Sequence, residues 1–250
     1  KNVIKGLGFF LGGALLAVFG FEGAVLGMAC ALGFLLTLVV WRMPPGLPSG
    51  MKGAKFSAVF STSEAVNWLS LARVFLFSAR DVWFVVGVPL YFYGVWSDGS
   101  DAGNKAAFFM IGSFMALWLI GYGIVQGSAP KILARLPVQS AFALAMLLAF
   151  VPLILAIVLW LSSSAVTPLV VIGLFVFGFG FALNSALHSF LILSFSTDAR
   201  VSMDVGFYYM ANAAGRLLGT LLSGIAYQAS GLELCLLIAS LMLFLSAAVD

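Results

Sequence analysis

The sequence predicts an all-α integral membrane protein, built as a bundle of about eight transmembrane helices. Hydrophobic residues make up 63% of the chain and charged residues only 8%, and the mean hydropathy is +1.15. A soluble domain carries about 25% charged residues, so the composition excludes that class. The apolar runs are about 20 residues long, which favours helices over the strands of roughly 10 residues that build membrane barrels.

The apolar runs place the predicted spans at about 1–20, 22–41, 65–94, 105–128, 137–162, 166–194, 203–229 and 231–249. A long polar connector at 42–64, rich in proline and glycine, separates the second span from the third. Such a composition is typical of a flexible linker between two bundles. We therefore expect two helices of one bundle at 1–41 and a six-helix bundle at 65–250; the superfamily resemblance given below implies that 1–41 are the last two helices of an N-terminal bundle.

The charges in the loops predict an orientation. If the linker is cytoplasmic, the cytoplasmic side collects Arg42, Lys52, Lys55, Lys131, Arg135 and Arg200. The loops on the opposite side hold Lys105, together with Asp98 and Asp101. This distribution follows the positive-inside rule, so the linker and the C-terminus are expected to face the cytoplasm.

An internal repeat relates the first predicted span to the seventh. Sliding the chain by 211 residues aligns Lys5 with Arg216, Gly8 with Gly219, Gly12 with Ser223, Gly13 with Gly224, Gly20 with Gly231 and Glu22 with Glu233. At this one offset, the two spans share a cation, a series of small residues (the ladder of each span) and a final Gly-x-Glu. Repeated halves of this kind build many transporters. The glycines of the two ladders, together with Gly215, are expected to pack helices closely.

Arg73 and Arg80 provide the main functional signal. Seven residues apart, they share one face of the third span, about 10 Å apart along its axis. An arginine at the centre of a membrane helix costs about 2.5–3.5 kcal/mol, so this face is expected to line a polar cavity. Arg216 lies in a polar stripe of the seventh span, and Lys5 matches it in the repeat. Because the guanidinium fork binds oxyanions with paired hydrogen bonds, the cavity is predicted to hold an organic anion.

The predicted substrate-binding residues are Lys5, Arg73, Arg80, Tyr122, Gln126, Tyr209, Asn212 and Arg216. Three alternatives remain open at this point. Arg73 can snorkel to the cytoplasmic surface, and Arg80 can form an internal ion pair with a carboxylate such as Asp81. Trp118, Tyr122 and Gln126, spaced four residues apart, can be a packing stripe instead of a binding face.

Two residues are candidate proton carriers. Asp81 lies next to Arg80 in an apolar span, where low polarity favours the neutral acid. His188, the single histidine, can change charge near neutral pH, although a buried structural histidine is the alternative. One histidine and two isolated cysteines supply neither a nucleophile–base pair nor a metal cluster. The sequence therefore predicts no enzymatic activity, no cofactor and no metal site.

Two motifs resemble patterns of the major facilitator superfamily. Gly121-x-Gly-x-x-Gln126-x-x-x-Pro130-x-x-x-x-Arg135 is similar to a degenerate form of the motif that follows helix 8 of that superfamily. Gly215-Arg216-Leu-Leu-Gly219-Thr-Leu-Leu-Ser-Gly224 resembles its helix 11 pattern. Two spans, a linker and six spans then correspond to helices 5 to 12, and the chain is expected to be a fragment of a longer protein.

Three segments resemble one branch of the superfamily, the organoarsenical efflux permeases called ArsJ. These segments are 1–13, 72–86 and 121–126, and the run Arg80-Asp81-Val-Trp-Phe is the most specific. The resemblance implies export of 1-arseno-3-phosphoglycerate across the bacterial inner membrane by alternating access, which confers arsenate resistance. Glyceraldehyde-3-phosphate dehydrogenase makes this substrate from arsenate, which implies a functional link to that enzyme.

Other functions remain open at the level of the sequence. One alternative is a proton-coupled facilitator permease for another organic anion or a drug, and a purely structural role is a second. A cationic drug is disfavoured because the charges within the spans are mostly positive. The expected partners are a small anionic substrate and the lipid bilayer, without nucleic acid, and the protein is expected to be a monomer.

Overall fold

The computed structural model describes residues 2–44, 61–133, 140–161, 166–197 and 200–250, with side chains from Gly6 onward. The helices are α1 (Asn2–Arg42), α2 (Glu64–Val82), α3 (Val88–Trp96), α4 (Asp101–Leu133), α5 (Ser140–Leu161), α6 (Thr167–Phe195) and α7 (Val201–Val249). No strand occurs in these ranges, which confirms the all-α class. Five of the described helices, α1 and α4 to α7, are long and apolar enough to cross a membrane. They indicate a membrane-embedded, multi-pass protein.

Helices α2 and α3 are joined by a π-helical turn at Trp83–Gly87 and cover the predicted third span. The turn lies just before Pro89, which has no N–H to donate to the preceding turn. The Gly87 N–H donates to Ser223 Oγ on α7 at 3.3 Å. Single π turns of this kind are frequent at functional sites, and this one begins two residues after Asp81.

Helices α1 and α7 each contain a kink near the point where the sequence predicts one span to end and the next to begin. Gly20 has φ 69° and ψ −178°, and Gly231 has φ 66° and ψ −156°. Positive φ combined with extended ψ is a region that glycine alone adopts without strain. Gly20 and Gly231 are partners in the 211-residue repeat, so the two halves of the repeat share a backbone conformation as well as a sequence pattern.

Helices α2 and α7 approach each other at backbone distance because of two glycines. A Cβ atom placed on Gly215 would collide with the carbonyl oxygen of Val74. A Cβ atom on Gly219 would lie 2.6 Å from the carbonyl oxygen of Ser78. This spacing of small residues permits close helix contact, as expected from the sequence. It sets the position of α7 immediately before Arg216 and about one turn after it.

Helix α1 packs on α4 through a second glycine contact. A Cβ atom on Gly13 would lie 2.9 Å from the Cα of Gly112. The prediction that all the repeat glycines pack closely is wrong for Gly8, Gly12 and Gly224, because no described atom lies within 4 Å of a Cβ placed there. Gly8 and Gly12 instead line a cavity, which is described below.

Aromatic side chains fill the core between the π turn, α4 and α6. Trp83 makes edge-to-face contacts with Trp118 and Phe177, with ring centroids 5.7 and 5.0 Å apart. The Trp118 indole N–H donates to the carbonyl oxygen of Leu174 at 2.8 Å, so its polar atom is satisfied within the core. This packing fixes α4 against α6 and holds Tyr122, one turn further along α4, beside the candidate site.

Candidate functional site

One buried carboxylate joins two arginines from different helices. Asp81 Oδ1 accepts a hydrogen bond from Arg80 Nε at 2.6 Å, and Asp81 Oδ2 accepts one from Arg216 Nε at 3.0 Å. The Asp81 side chain is 1% exposed, whereas that of Arg216 is 51% exposed. The internal Arg80–Asp81 pair considered from the sequence is therefore present, and it extends to α7.

Arg73 is buried and does not snorkel to the surface of the described bundle. Its guanidinium donates to the carbonyl oxygen of Ser185 at 3.1 Å. It also lies 4.0 Å from the ring centroid of Phe77 and 4.8 Å from that of Tyr208. The Arg80 guanidinium lies 5.0 Å from the same Phe77 ring. Phe77 thus contacts both cations of α2, and its ring offsets part of the cost of burying them.

The three arginines and Phe77 line a cavity of about 220 Å³, here called the polar chamber. Its lining residues are Arg73, Phe77, Arg80, Leu119, Tyr122, Gln126, Ser185, Ser189, Tyr209, Asn212 and Arg216. Seven of the eight predicted substrate-binding residues are among them. The eighth, Lys5, lies on α1, and its side chain is outside the part that the structure describes. Three arginines against Asp81 leave the group with a net charge of +2.

A larger cavity of about 920 Å³, here called the apolar chamber, lies between the first half of α1 and helices α2, α3 and α4. Most of its wall is aliphatic, aromatic or glycine, including Phe9, Phe84 and Met115. Arg80 and Arg216 belong to the walls of both chambers, so the two cavities meet at these arginines. The arginines therefore stand at the boundary between a polar and an apolar space.

His188 occupies a different environment from Asp81. Its side chain is fully buried in α6, and its Nε2 lies 3.1 Å from Asp250 Oδ1. It lines neither chamber, although Ser185 and Ser189 on the same helix line the polar chamber. Of the two candidate proton carriers, Asp81 is therefore the one that touches the arginines.

Helix α6 contributes to the site in a way that the sequence analysis missed. Ser185 supplies a backbone carbonyl to Arg73, and Phe181 lies 5.4 Å from the Arg80 guanidinium. Ser185 and Ser189, four residues apart in an apolar helix, form a polar stripe that periodicity could have revealed. Phe181 carries no such signal, because an apolar residue in an apolar helix does not stand out.

No protein-family model, curated protein or solved structure matches the chain. In the described ranges, no three His, Cys, Asp or Glu side chains are grouped so as to hold a metal ion. The chemistry of the site is therefore inferred from its own groups. Fixed cations, hydroxyls and amides surround a small cavity in an apolar bundle, and this arrangement is suited to binding an oxyanion.

Proposed function

We propose that the protein is a membrane transporter of small organic anions. The observation that carries this proposal is the convergence of Arg73, Arg80 and Arg216, from α2 and α7, on one chamber inside an apolar bundle. Positive charge is costly in such a place unless it serves a ligand, a counter-ion or both. Asp81 neutralises only part of it, so an anionic ligand supplies the remaining charge.

The transporter is of the major facilitator type, and its substrate is 1-arseno-3-phosphoglycerate, exported in the manner of the ArsJ permeases. The motif resemblances and the 211-residue repeat support this assignment, and the shared kinks at Gly20 and Gly231 agree with two related halves. The substrate carries negative charge at both ends, and arginines from two helices can each bind one end. Its export from the bacterial cytoplasm confers resistance to arsenate.

Asp81 acts as an internal counter-ion in the transport cycle. An incoming oxyanion first meets Arg216, which is the more exposed of the two arginines bound to Asp81. The oxyanion replaces the carboxylate on the guanidinium, and the return of the carboxylate favours release. A proton on Asp81 removes its charge and frees both arginines, which offers a way to couple transport to protons.

A permease for another organic anion or drug is the second candidate. The apolar chamber favours it, because 1-arseno-3-phosphoglycerate has no apolar part that would fill such a space. Both candidates use the same arginines, and they differ in the chemistry of the remainder of the substrate.

Uptake into everted membrane vesicles tests the proposal. Freshly generated 1-arseno-3-phosphoglycerate is supplied to vesicles that contain equal amounts of the intact wild-type protein, Arg216→Gln or Arg42→Gln. Arg42 stacks on Trp41 at the end of α1 and lines neither chamber, so its variant is a matched control. We expect uptake by the wild type and by Arg42→Gln and at least tenfold less by Arg216→Gln, about 1.4 kcal/mol of lost stabilisation. Equal uptake by all three would overturn the assignment of Arg216, and no uptake in sealed, energised vesicles would favour a different anion.

A further inference from the structure

The polar and apolar chambers share a wall at the arginines. Arg80, Leu119 and Arg216 line both cavities, and Asp81 lines the larger one while it binds both arginines. A ligand whose anionic group contacts Arg216 therefore has an apolar space directly beside it. Ligand pockets in proteins typically occupy about 300–1,000 Å³, and the apolar chamber falls within that range.

The wall of the apolar chamber on α1 is open because of two glycines. Gly8 and Gly12 line the chamber, and no described atom lies within 4 Å of a Cβ placed on either one. Their neighbour Gly13 packs against Gly112 and holds α1 on α4. One set of glycines thus brings the helices together, while the other set leaves space for a ligand between them.

We infer that the two chambers form one bipartite site for amphipathic organic anions. The oxyanion binds Arg80 and Arg216, and an aryl or short alkyl group of the same molecule occupies the part of the apolar chamber beside these arginines. This inference rests on the proposed transport of organic anions and deepens its second candidate, a permease for another organic anion, since it names the substrate class of the same anion site. The positive charge of the shared wall favours the binding of an anionic head group. The apolar wall strengthens the binding of a hydrophobic tail, because the tail buries apolar surface there.

Two phosphonates with the same head group separate the two parts of the site. Calorimetry measures the binding of methylphosphonate and of phenylphosphonate to the intact protein in nanodiscs of zwitterionic lipid. Gly12→Leu adds a bulky side chain to the wall of the apolar chamber, and Arg216→Gln removes a shared cation. Gly27→Leu is the matched control, because Gly27 is exposed on the same helix, has no described atom near its Cβ and lines neither chamber.

We expect the wild type and Gly27→Leu to bind phenylphosphonate at least roughly tenfold more tightly than methylphosphonate, because the ring buries apolar surface. Gly12→Leu should remove this preference, and Arg216→Gln should weaken the binding of both probes. Adding anionic phospholipid to the nanodiscs should leave the affinity for phenylphosphonate unchanged. Competition by the phospholipid would assign the apolar chamber to lipid and overturn the inference.

Two further outcomes distinguish the inference from the function on which it rests. If both phosphonates bind equally and both need Arg216, the anion site stands and the bipartite site is wrong. If neither phosphonate binds to the wild type, the anion site itself fails, and the inference fails with it. A loss of preference in Gly27→Leu as large as that in Gly12→Leu would also contradict the assignment of the apolar chamber.

Discussion

Asp81 accepts hydrogen bonds from two arginines on different helices, which makes it a structural link and, under the proposed function, a competitor of the anionic substrate. As a link, it ties α2 to α7 beside Gly219. As a competitor, it occupies hydrogen-bond donors of Arg80 and Arg216 that an oxyanion would use. The two roles predict opposite effects of its removal on stability and on anion binding.

The variant Asp81→Asn separates these effects. The amide keeps the size of the side chain but removes its charge, so the arginine cluster changes from a net charge of +2 to +3. We expect methylphosphonate to bind about tenfold more tightly, equivalent to about 1.4 kcal/mol, since charge competition is lost. We also expect lower thermal stability, because two cations lose their shared carboxylate. Calorimetry and thermal unfolding in detergent measure the two quantities.

Glu22→Gln is the control for Asp81→Asn, because Glu22 is an exposed carboxylate on α1 that lines neither chamber. It should change neither the anion affinity nor the unfolding temperature by a comparable amount. Weaker binding of methylphosphonate to Asp81→Asn than to the wild type would show that Asp81 orients the arginines instead of competing for them.

Asp98, in the short loop between α3 and α4, has a lowered pKa for a local reason. Its Oδ1 accepts hydrogen bonds from the Ser100 hydroxyl at 2.7 Å and from the Ser100 N–H at 2.9 Å, which hold its pKa below the ordinary value of 3.8. Because the folded-state pKa is depressed, the associated stabilisation is present above the ordinary value of 3.8 and is lost as pH falls through the folded-state pKa.

Ser100→Ala should raise the pKa of Asp98 toward 3.8, since the hydroxyl donor is the largest cause of the shift and the backbone donor remains. The pH dependence of the Asp98 carboxyl carbon resonance measures this change. Ser97→Ala is the control, because the Ser97 hydroxyl donates to Asn104 and not to Asp98. An unchanged Asp98 titration in Ser100→Ala would assign the shift to the backbone alone.

At the scale of residues, the sequence predicts the charged groups of the site better than their partners. Arg73, Arg80 and Arg216 stand out because charge is rare in apolar spans, and spacing places two of them on one face. The Ser185 carbonyl that binds Arg73 belongs to a peptide group that every residue carries. No local pattern marks it, because its role arises only when α6 packs against α2.

At the scale of helices, the contact between α2 and α7 depends on two glycines that face the backbone of α2. Gly215 has no room for a side chain against Val74, whereas Gly224 on the same helix has no described atom within 4 Å of its Cβ. Two glycines of one helix thus have opposite environments. This contrast allows the effect of the contact to be separated from the helix propensity of glycine, since alanine favours a helix equally at both positions.

Gly215→Ala should destabilise the protein by about 1–3 kcal/mol, because the added methyl group forces α2 and α7 apart. The same displacement should move Arg216 away from Asp81 and reduce anion uptake. Thermal unfolding in detergent and vesicle uptake measure the two effects. Gly224→Ala should be neutral or stabilising by up to about 1 kcal/mol, because it gains helix propensity without a collision. Equal destabilisation by the two substitutions would contradict a specific contact at Gly215.

The helices follow the apolar runs of the sequence, although α1 and α7 each continue through a kink across two predicted spans. Helix α4 begins at Asp101 and not at 105, because Ser100 and Asp98 form a capped start that an apolar count does not recognise. The π turn at Trp83–Gly87 is likewise invisible to hydropathy. The π turn is a local change in the backbone hydrogen bonds, and it leaves the run of apolar residues in the sequence uninterrupted.

At the scale of the whole molecule, the sequence predicts membrane insertion and the all-α class, because composition and run length alone determine them. It does not predict the apolar chamber. That cavity exists where α1 lies against α4 at Gly13 and stands away from α2 at Gly8 and Gly12. Gly8, Gly12 and Gly13 are all glycines of α1. Whether each of them contacts another helix or lines the cavity depends on which way it faces in the assembled bundle.

The loop charges predict the orientation of the bundle in the membrane, with the linker and the C-terminus on the cytoplasmic side. Single cysteines replace Thr62, Asp98 or Lys131 in a protein whose Cys30 and Cys235 are changed to alanine; all three positions are exposed. A membrane-impermeant maleimide should label Asp98→Cys in intact spheroplasts several-fold more than the other two, because the positive-inside rule predicts that the basic linker side is cytoplasmic. Everted vesicles should reverse the order, and detergent should make all three equally reactive. Labelling of Thr62→Cys but not of Asp98→Cys in intact spheroplasts would show the opposite orientation and contradict the prediction from the loop charges.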